Sequence, residues 1–312
     1  MLVRLLLPLL LCLFAQTAYA RQLGWKADTS GYYARYTISW QDFAGQSQTL
    51  SFEVENNYVE QAQQDSRKLD TRAAMQAAYV KAVKEARRAE RKGVSVQVIP
   101  NGGNLSFQAS GPDERTVDRE LERIRRLANK EMESYLQEHN YTIEGNAIET
   151  DYAKVSRANY FAMRPLARAI QEQTRGMDMR SVMDYTLAFL QSIPYSTYQP
   201  RPGDRTTAIF NTPLRLIANN KGDCDDKSLA FGTLLKIMYP SLTIALVLVP
   251  EHAFVAVEVP TQPGDTILRD GGHTYVLAEP VGPDYYAFGR IAASSAQLTR
   301  QGYTLRPVPD RY

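Results

Sequence analysis

Cysteine is almost missing from this chain: Cys12 and Cys224 are the only two among 312 residues. Neither sign of charge is in excess, since 36 Lys and Arg face 34 Asp and Glu. That balance excludes a nucleic-acid binder relying on bulk positive charge. Long apolar runs are lacking as well. The run at residues 5–14 falls far short of the ~20 residues that cross a bilayer, and no later segment is apolar enough to do so.

The first twenty residues carry an address. Arg4 precedes the apolar run, and Ala18-Tyr19-Ala20 follows it as an A-x-A cleavage site. This layout is that of a secretory signal, so cleavage after Ala20 and export are expected, to a periplasm first and to the exterior as the other destination. Leu11 stands before Cys12, where lipoprotein processing wants a small residue. Losing Arg4 and Cys12 with the signal leaves 35 positive against 34 negative residues, a net of +1, and a single thiol. One thiol cannot form an internal disulfide. In an oxidising compartment a lone cysteine is either buried or kept for its chemistry.

About 290 mature residues suggest two domains, and the reading is α+β throughout, with a boundary near residue 150. In the first half, residues 32–40 and 48–55 read as strands; Leu50, Phe52 and Val54 alternate with polar residues. One long helix is expected over 59–92, stopped by Gly93. Strands then recur at 94–98 and 105–107 around Asn101-Gly102-Gly103, followed by a second helix over 113–138. The expectation is a ββαββα-like N-terminal domain. The basic cluster Lys81, Lys84, Arg87, Arg88, Arg91 and Lys92 reads as a solvated face at a helix C-terminus, and His139 as a residue beside a helix end.

The chemistry lies beyond residue 151. Helices are expected over 156–174 and 180–192, and another starts near Asn211-Thr212-Pro213. Then comes Lys221-Gly222-Asp223-Cys224-Asp225-Asp226-Lys227-Ser228, opening a helix at Cys224. β-prone runs follow at 242–249, 253–259 and 275–278. A helix N-terminus favours a thiolate, while Asp223, Asp225 and Asp226 oppose it, so a nearby base is required. His252 heads one strand and Glu279 closes the next. Paired as a hairpin around loop 261–273, the two fall directly opposite each other, close enough for a carboxylate to orient an imidazole. Nucleophile, base and carboxylate thus follow in the order Cys224, His252, Glu279. With its thiolate paired to His252, Cys224 is expected to react faster than free cysteine at pH 6.5.

Residues 181–281, about a third of the chain, resemble the transglutaminase-like superfamily of papain-type cysteine enzymes, particularly exported bacterial members. The likeness rests on Leu190-Gln191-Ser192-Ile193-Pro194-Tyr195, Asn211-Thr212-Pro213-Leu214, the Gly-Asp-Cys-Asp-Asp element, Glu251-His252-Ala253 and Leu277-Ala278-Glu279-Pro280. It implies a helix carrying Cys224 packed on an antiparallel sheet carrying His252 and Glu279. Glu279 stands where such enzymes more often have Asp. An upstream side chain, Gln191 or Tyr195, is expected to help hold an oxyanion. The implied activity is hydrolysis of peptide or amide bonds in a protein substrate through a thioester. The alternatives are transfer to an amine, which would cross-link proteins, and a non-catalytic binding scaffold. No cofactor is expected. Asp223 and Asp225 offer hard oxygens suited to calcium, but without a ligand-rich loop Asp223 fits a helix cap better, and no metal is assigned.

Overall fold

The computed structural model describes residues 20–65, 69–102, 104–145, 147–196 and 210–310; most of the expected signal lies outside them. The chain is a mixed α+β protein with antiparallel sheets. Strands β1 (Gln22–Asp28), β2 (Tyr33–Gln41) and β3 (Ser47–Glu55) form the first sheet in that order. Period-two alternation buries Ala34, Tyr36, Ile38 and Trp40 of β2 with Leu50, Phe52 and Val54 of β3. Tyr36 stands directly across from Phe52, their rings stacked at 5.3 Å. β1 carries no such buried alternation, and no strand is expected there from its residues alone.

Helices α1 (Asn56–Asp65) and α2 (Thr71–Glu90) replace the single helix expected over 59–92. The break is chemical: the Asp70 carboxylate accepts from the Arg72 and Ala73 N–H groups and starts a fresh helix. The hairpin β4 (Ser95–Asn101)–β5 (Asn104–Ser110) leads into α3 (Glu114–Glu138), which Asp113 caps. The ββαββα-like description therefore needs correcting, since three strands and two helices precede the second hairpin. Ala78, Ala82, Ala86 and Ala89 let α2 approach Ile124 and Ala128 of α3, making a small core of their own. Beside it Glu85 and Glu120, each about 2% exposed, share the Arg123 guanidinium at 2.5 and 2.8 Å.

The hairpin β6 (Tyr141–Glu144)–β7 (Ala147–Thr150) leads to α4 (Tyr152–Gln173), α5 (Met179–Ser192) and α6 (Pro213–Asn219). Next come α7 (Cys224–Met238), β8 (Ile244–Val249), β9 (His252–Val257), β10 (Ile267–Asp270), β11 (His273–Ala278), α8 (Ala293–Gln301) and β12 (Thr304–Pro307). The second sheet runs β10-β11-β9-β8-β12, antiparallel throughout. The expected loop 261–273 thus contains a strand. Gly271 and Gly272, both at positive φ, make the two-residue turn between β10 and β11.

The boundary expected near residue 150 does not separate two cores. Trp40 of β2 lies 5.2 Å from both Tyr185 and Phe189 of α5, and the buried faces of β2 and β3 belong to one cluster with α4, α5, α6 and α7. Covering an amphipathic sheet with the nearest apolar helices removes both surfaces from water. The N-terminal strand also braces two loops of the second half. Gln22 and Asn220 exchange side-chain amide hydrogen bonds at 2.8 and 2.7 Å, and just before the strand the Arg21 N–H donates to the Tyr285 hydroxyl at 3.3 Å.

Candidate active site

Cys224 is the first residue of α7. Asp223 caps that helix, accepting from Asp226 N–H, while the Asp226 side chain accepts from Asp223 N–H, a reciprocal capping box. Asp223 therefore takes the capping role. Among the described residues no group of three or more His, Cys, Asp or Glu could hold a metal ion. Asp226 is buried and accepts from the Asn211 backbone and side-chain nitrogens, both at 2.6 Å. Burial followed by the neighbouring carboxylates raises the Asp223 carboxyl well above the ordinary carboxylate range. Asp226 has more N–H donors to hold its charge, so the shared proton of this pair belongs on Asp223.

The thiol is 8% exposed and donates to Asp225 Oδ1 at 3.6 Å. Tyr152 donates its hydroxyl to the other Asp225 oxygen at 2.9 Å. Burial pushes the Cys224 thiol up to about 12, assisted by Asp225 and Asp223, with the Ala253 N–H acting in the opposite sense. The expected low-pKa thiolate is therefore corrected: desolvation and two carboxylates outweigh the helix N-terminus, and the resting sulfur is a neutral thiol. The Ala253 N–H at the sulfur belongs to the residue after His252, so the head of β9 abuts the start of α7. A bond from Ser228 Oγ to the Ala253 carbonyl at 3.1 Å fastens this junction.

His252 opens β9 after a tight turn in which Glu251 adopts φ 60°, a left-handed conformation unusual for a residue with a side chain. Its Nε2 lies 2.8 Å from Glu279 Oε1. Glu279 is 2% exposed, and its second oxygen accepts from Ser295 Oγ at 2.7 Å. A carboxylate only accepts, so Nε2 carries the proton and Nδ1 is the basic nitrogen. The two residues are not directly opposed, as the hairpin argument had them. Ala278 pairs with Val255, which aligns Glu279 with position 254, two residues past His252. A shift of two keeps side chains on one face of a sheet, so the contact survives as a diagonal one.

Gln191 and Tyr195 separate cleanly. Gln191 is buried, and its amide donates to the carbonyls of Glu279 and Tyr286 at 2.7 and 2.8 Å, which commits it to holding the loop after β11. Gly282 lies so near this residue that a Cβ there would come within 2.5 Å of the Gln191 carbonyl oxygen. Tyr195 instead runs beside Gly222 in an isolated bridge, with its hydroxyl at the Cys224 sulfur. Burial, then Cys224 and Asp223, push that hydroxyl up to about 12, so it remains a donor. Lys227, fully buried, holds the same segment by donating to the Ile193 carbonyl at 2.5 Å.

The chain matches no protein-family model, no curated protein and no solved structure.

Sequence reasoning overlooked Ser295, Tyr152 and the bond of Asp225 to the thiol. Ser295 stands in a helix that sequence reasoning did not expect, and Tyr152 is brought in by the packing of α4 on α7. A polar residue at a helix start was the only local sign of either.

Proposed function

We propose that this protein is an exported transglutaminase-like cysteine enzyme that hydrolyses peptide or amide bonds of a protein substrate. The observation that carries the reading is the His252–Glu279 pair, its carboxylate buried and fastened by Ser295, at the head of the strand whose next N–H meets the Cys224 sulfur. A thiol held protonated by burial suits general-base activation upon substrate binding, with His252, the residue before the Ala253 N–H, as the base. His252 Nδ1 takes the thiol proton as sulfur bonds to the carbonyl carbon. Tyr195 and the Cys224 N–H donate to the oxygen as it gains charge. The C–N bond then breaks, and the imidazolium returns its proton to the departing nitrogen. Water, deprotonated by His252, cleaves the thioester to a carboxylate and the free thiol; an amine in its place would cross-link.

A second reading has two observations in its favour. The thiol's hydrogen bond to Asp225 and its high pKa suit a binding protein that retains the fold without turnover. Incubating the mature protein with a pool of peptides, with mass detection of products and of acylated protein, separates the two. Turnover with a thioester on Cys224, absent from Cys224→Ser, supports the enzyme; an unmodified pool and an unmodified protein favour the scaffold. The N-terminal residue of the exported protein tests cleavage after Ala20.

A further inference from the structure

A cavity of about 240 Å³ opens beside the base. Its described lining includes His252 and Glu279 but not Cys224. The remaining walls are mainly apolar, with Val281, Pro283, Tyr286, Ala292 before α8 and Leu298 within it, and the Asp284 carboxylate stands among them. Of its two carboxylates, Glu279 has both oxygens occupied by His252 and Ser295 and so asks nothing of a ligand, while Asp284 accepts from the Tyr286 hydroxyl at 3.3 Å. The volume is below the roughly 300–1,000 Å³ of sites that take whole small molecules, and suits one bulky side chain.

Which side chain follows from the chemistry of the neighbours. In acyl transfer the sulfur bonds the acyl carbon, while the imidazole touches the nitrogen that leaves. A hollow walled by the imidazole and not by the sulfur lies on the leaving side of the scissile bond. We infer that this cavity is a specificity pocket for a bulky apolar side chain, aliphatic or aromatic, on the residue that supplies the departing nitrogen. The inference rests on the enzyme reading for its chemistry, though not for the binding it foresees. Gln191 makes the pocket durable, since its amide clamps the Glu279 and Tyr286 carbonyls on either side of the loop that forms the wall.

The test uses the mature chain and a set of short peptides identical except for Gly, Leu, Phe or Lys at the leaving-side position. Cleavage of the Leu and Phe peptides is expected to exceed that of the Gly peptide by tenfold or more in kcat/KM, the discrimination given by a fitted apolar pocket. Ala292→Trp, which fills the hollow, is expected to bring that ratio close to one, and Leu298→Trp serves if the first variant folds poorly. Binding of the same peptides to Cys224→Ala protein gives a second readout, with Leu and Phe at least fivefold tighter than Gly. Equal cleavage across the set, or a ratio unmoved by either filling variant, overturns the pocket while leaving the enzyme standing. If nothing is cleaved, the enzyme reading falls and the binding arm alone decides: a tight Leu and Phe preference upholds the pocket, and uniform binding overturns it.

Discussion

His252 and Glu279 meet at 2.8 Å across two strands, one register step of two residues away from direct opposition. The step matters because a shift of one would have put the carboxylate on the opposite face of the sheet. It also sets what the carboxylate does. Glu279 is fixed by Ser295 on its other oxygen, so the imidazole it holds has a defined proton position and orientation.

Replacing Glu279 with Gln removes that acceptor while keeping its shape. The expected outcome is a folded protein with activity lowered more than tenfold, as when an imidazole loses its orienting carboxylate. Ser295→Ala is expected to lower activity less. Thermal melting and kcat/KM on one peptide substrate check both, and full activity of Glu279→Gln would assign the orienting role elsewhere.

Asp225 is the carboxylate in contact with the thiol. Asp225→Asn takes away a negative neighbour, so the thiol should ionise at lower pH and the thiolate fraction at pH 8 should rise about tenfold, the effect of one pKa unit. Iodoacetamide labelling against pH measures this directly. An unchanged profile would mean that burial alone holds the thiol up.

Asp223 yields a prediction about stability. Its folded pKa is raised above the ordinary carboxylate value, so its contribution is full below that value and is lost as pH rises toward the folded one. Asn caps a helix as well as Asp and cannot ionise. Asp223→Asn is therefore expected to be more stable than wild type at pH 8, with the advantage shrinking toward pH 4. Urea melts at the two pH values check the sign, and a variant equally weakened at both would refute it.

The α2–α3 arm has its own core and its own charges. Arg123→Ala leaves Glu85 and Glu120 buried, with Arg88 and Lys92 at the rim as ion-pair partners and Lys81 nearby. Removing one partner of a buried pair costs ~3–5 kcal/mol, and the remaining cations reduce this to about 2–3 kcal/mol here. Denaturant melting should register the loss, while the rate of Cys224 labelling should not change.

Much of this molecule could be read from its sequence because its signals are local. Asp113, Thr212 and Asp223 cap helices where the chain turns from polar to apolar, and β2 and β3 carry a plain alternation. Cys224, His252 and Glu279 could be linked because each stands at the end of a regular element. What stayed hidden depends on partners distant in sequence. β1 and β12 are edge strands defined by what they pair with, and β10 was concealed in a Gly- and Asp-containing loop. The choice of Tyr195 over Gln191 turns on which carbonyls come near the amide. The thiol's high pKa reflects burial, which no motif records.

The most direct test of the whole account is the dependence of Cys224 on His252. Native mature protein is treated with iodoacetamide at pH 8, and the site and rate of labelling are followed by mass for wild type and His252→Ala. As general base, His252 takes the thiol proton while the sulfur bonds the alkylating carbon and iodide leaves. The account predicts one label, on Cys224 in the folded protein, with a rate at least fivefold lower in a His252→Ala variant of unchanged melting temperature. Equal rates in the two proteins, or labelling only after denaturation, would contradict it.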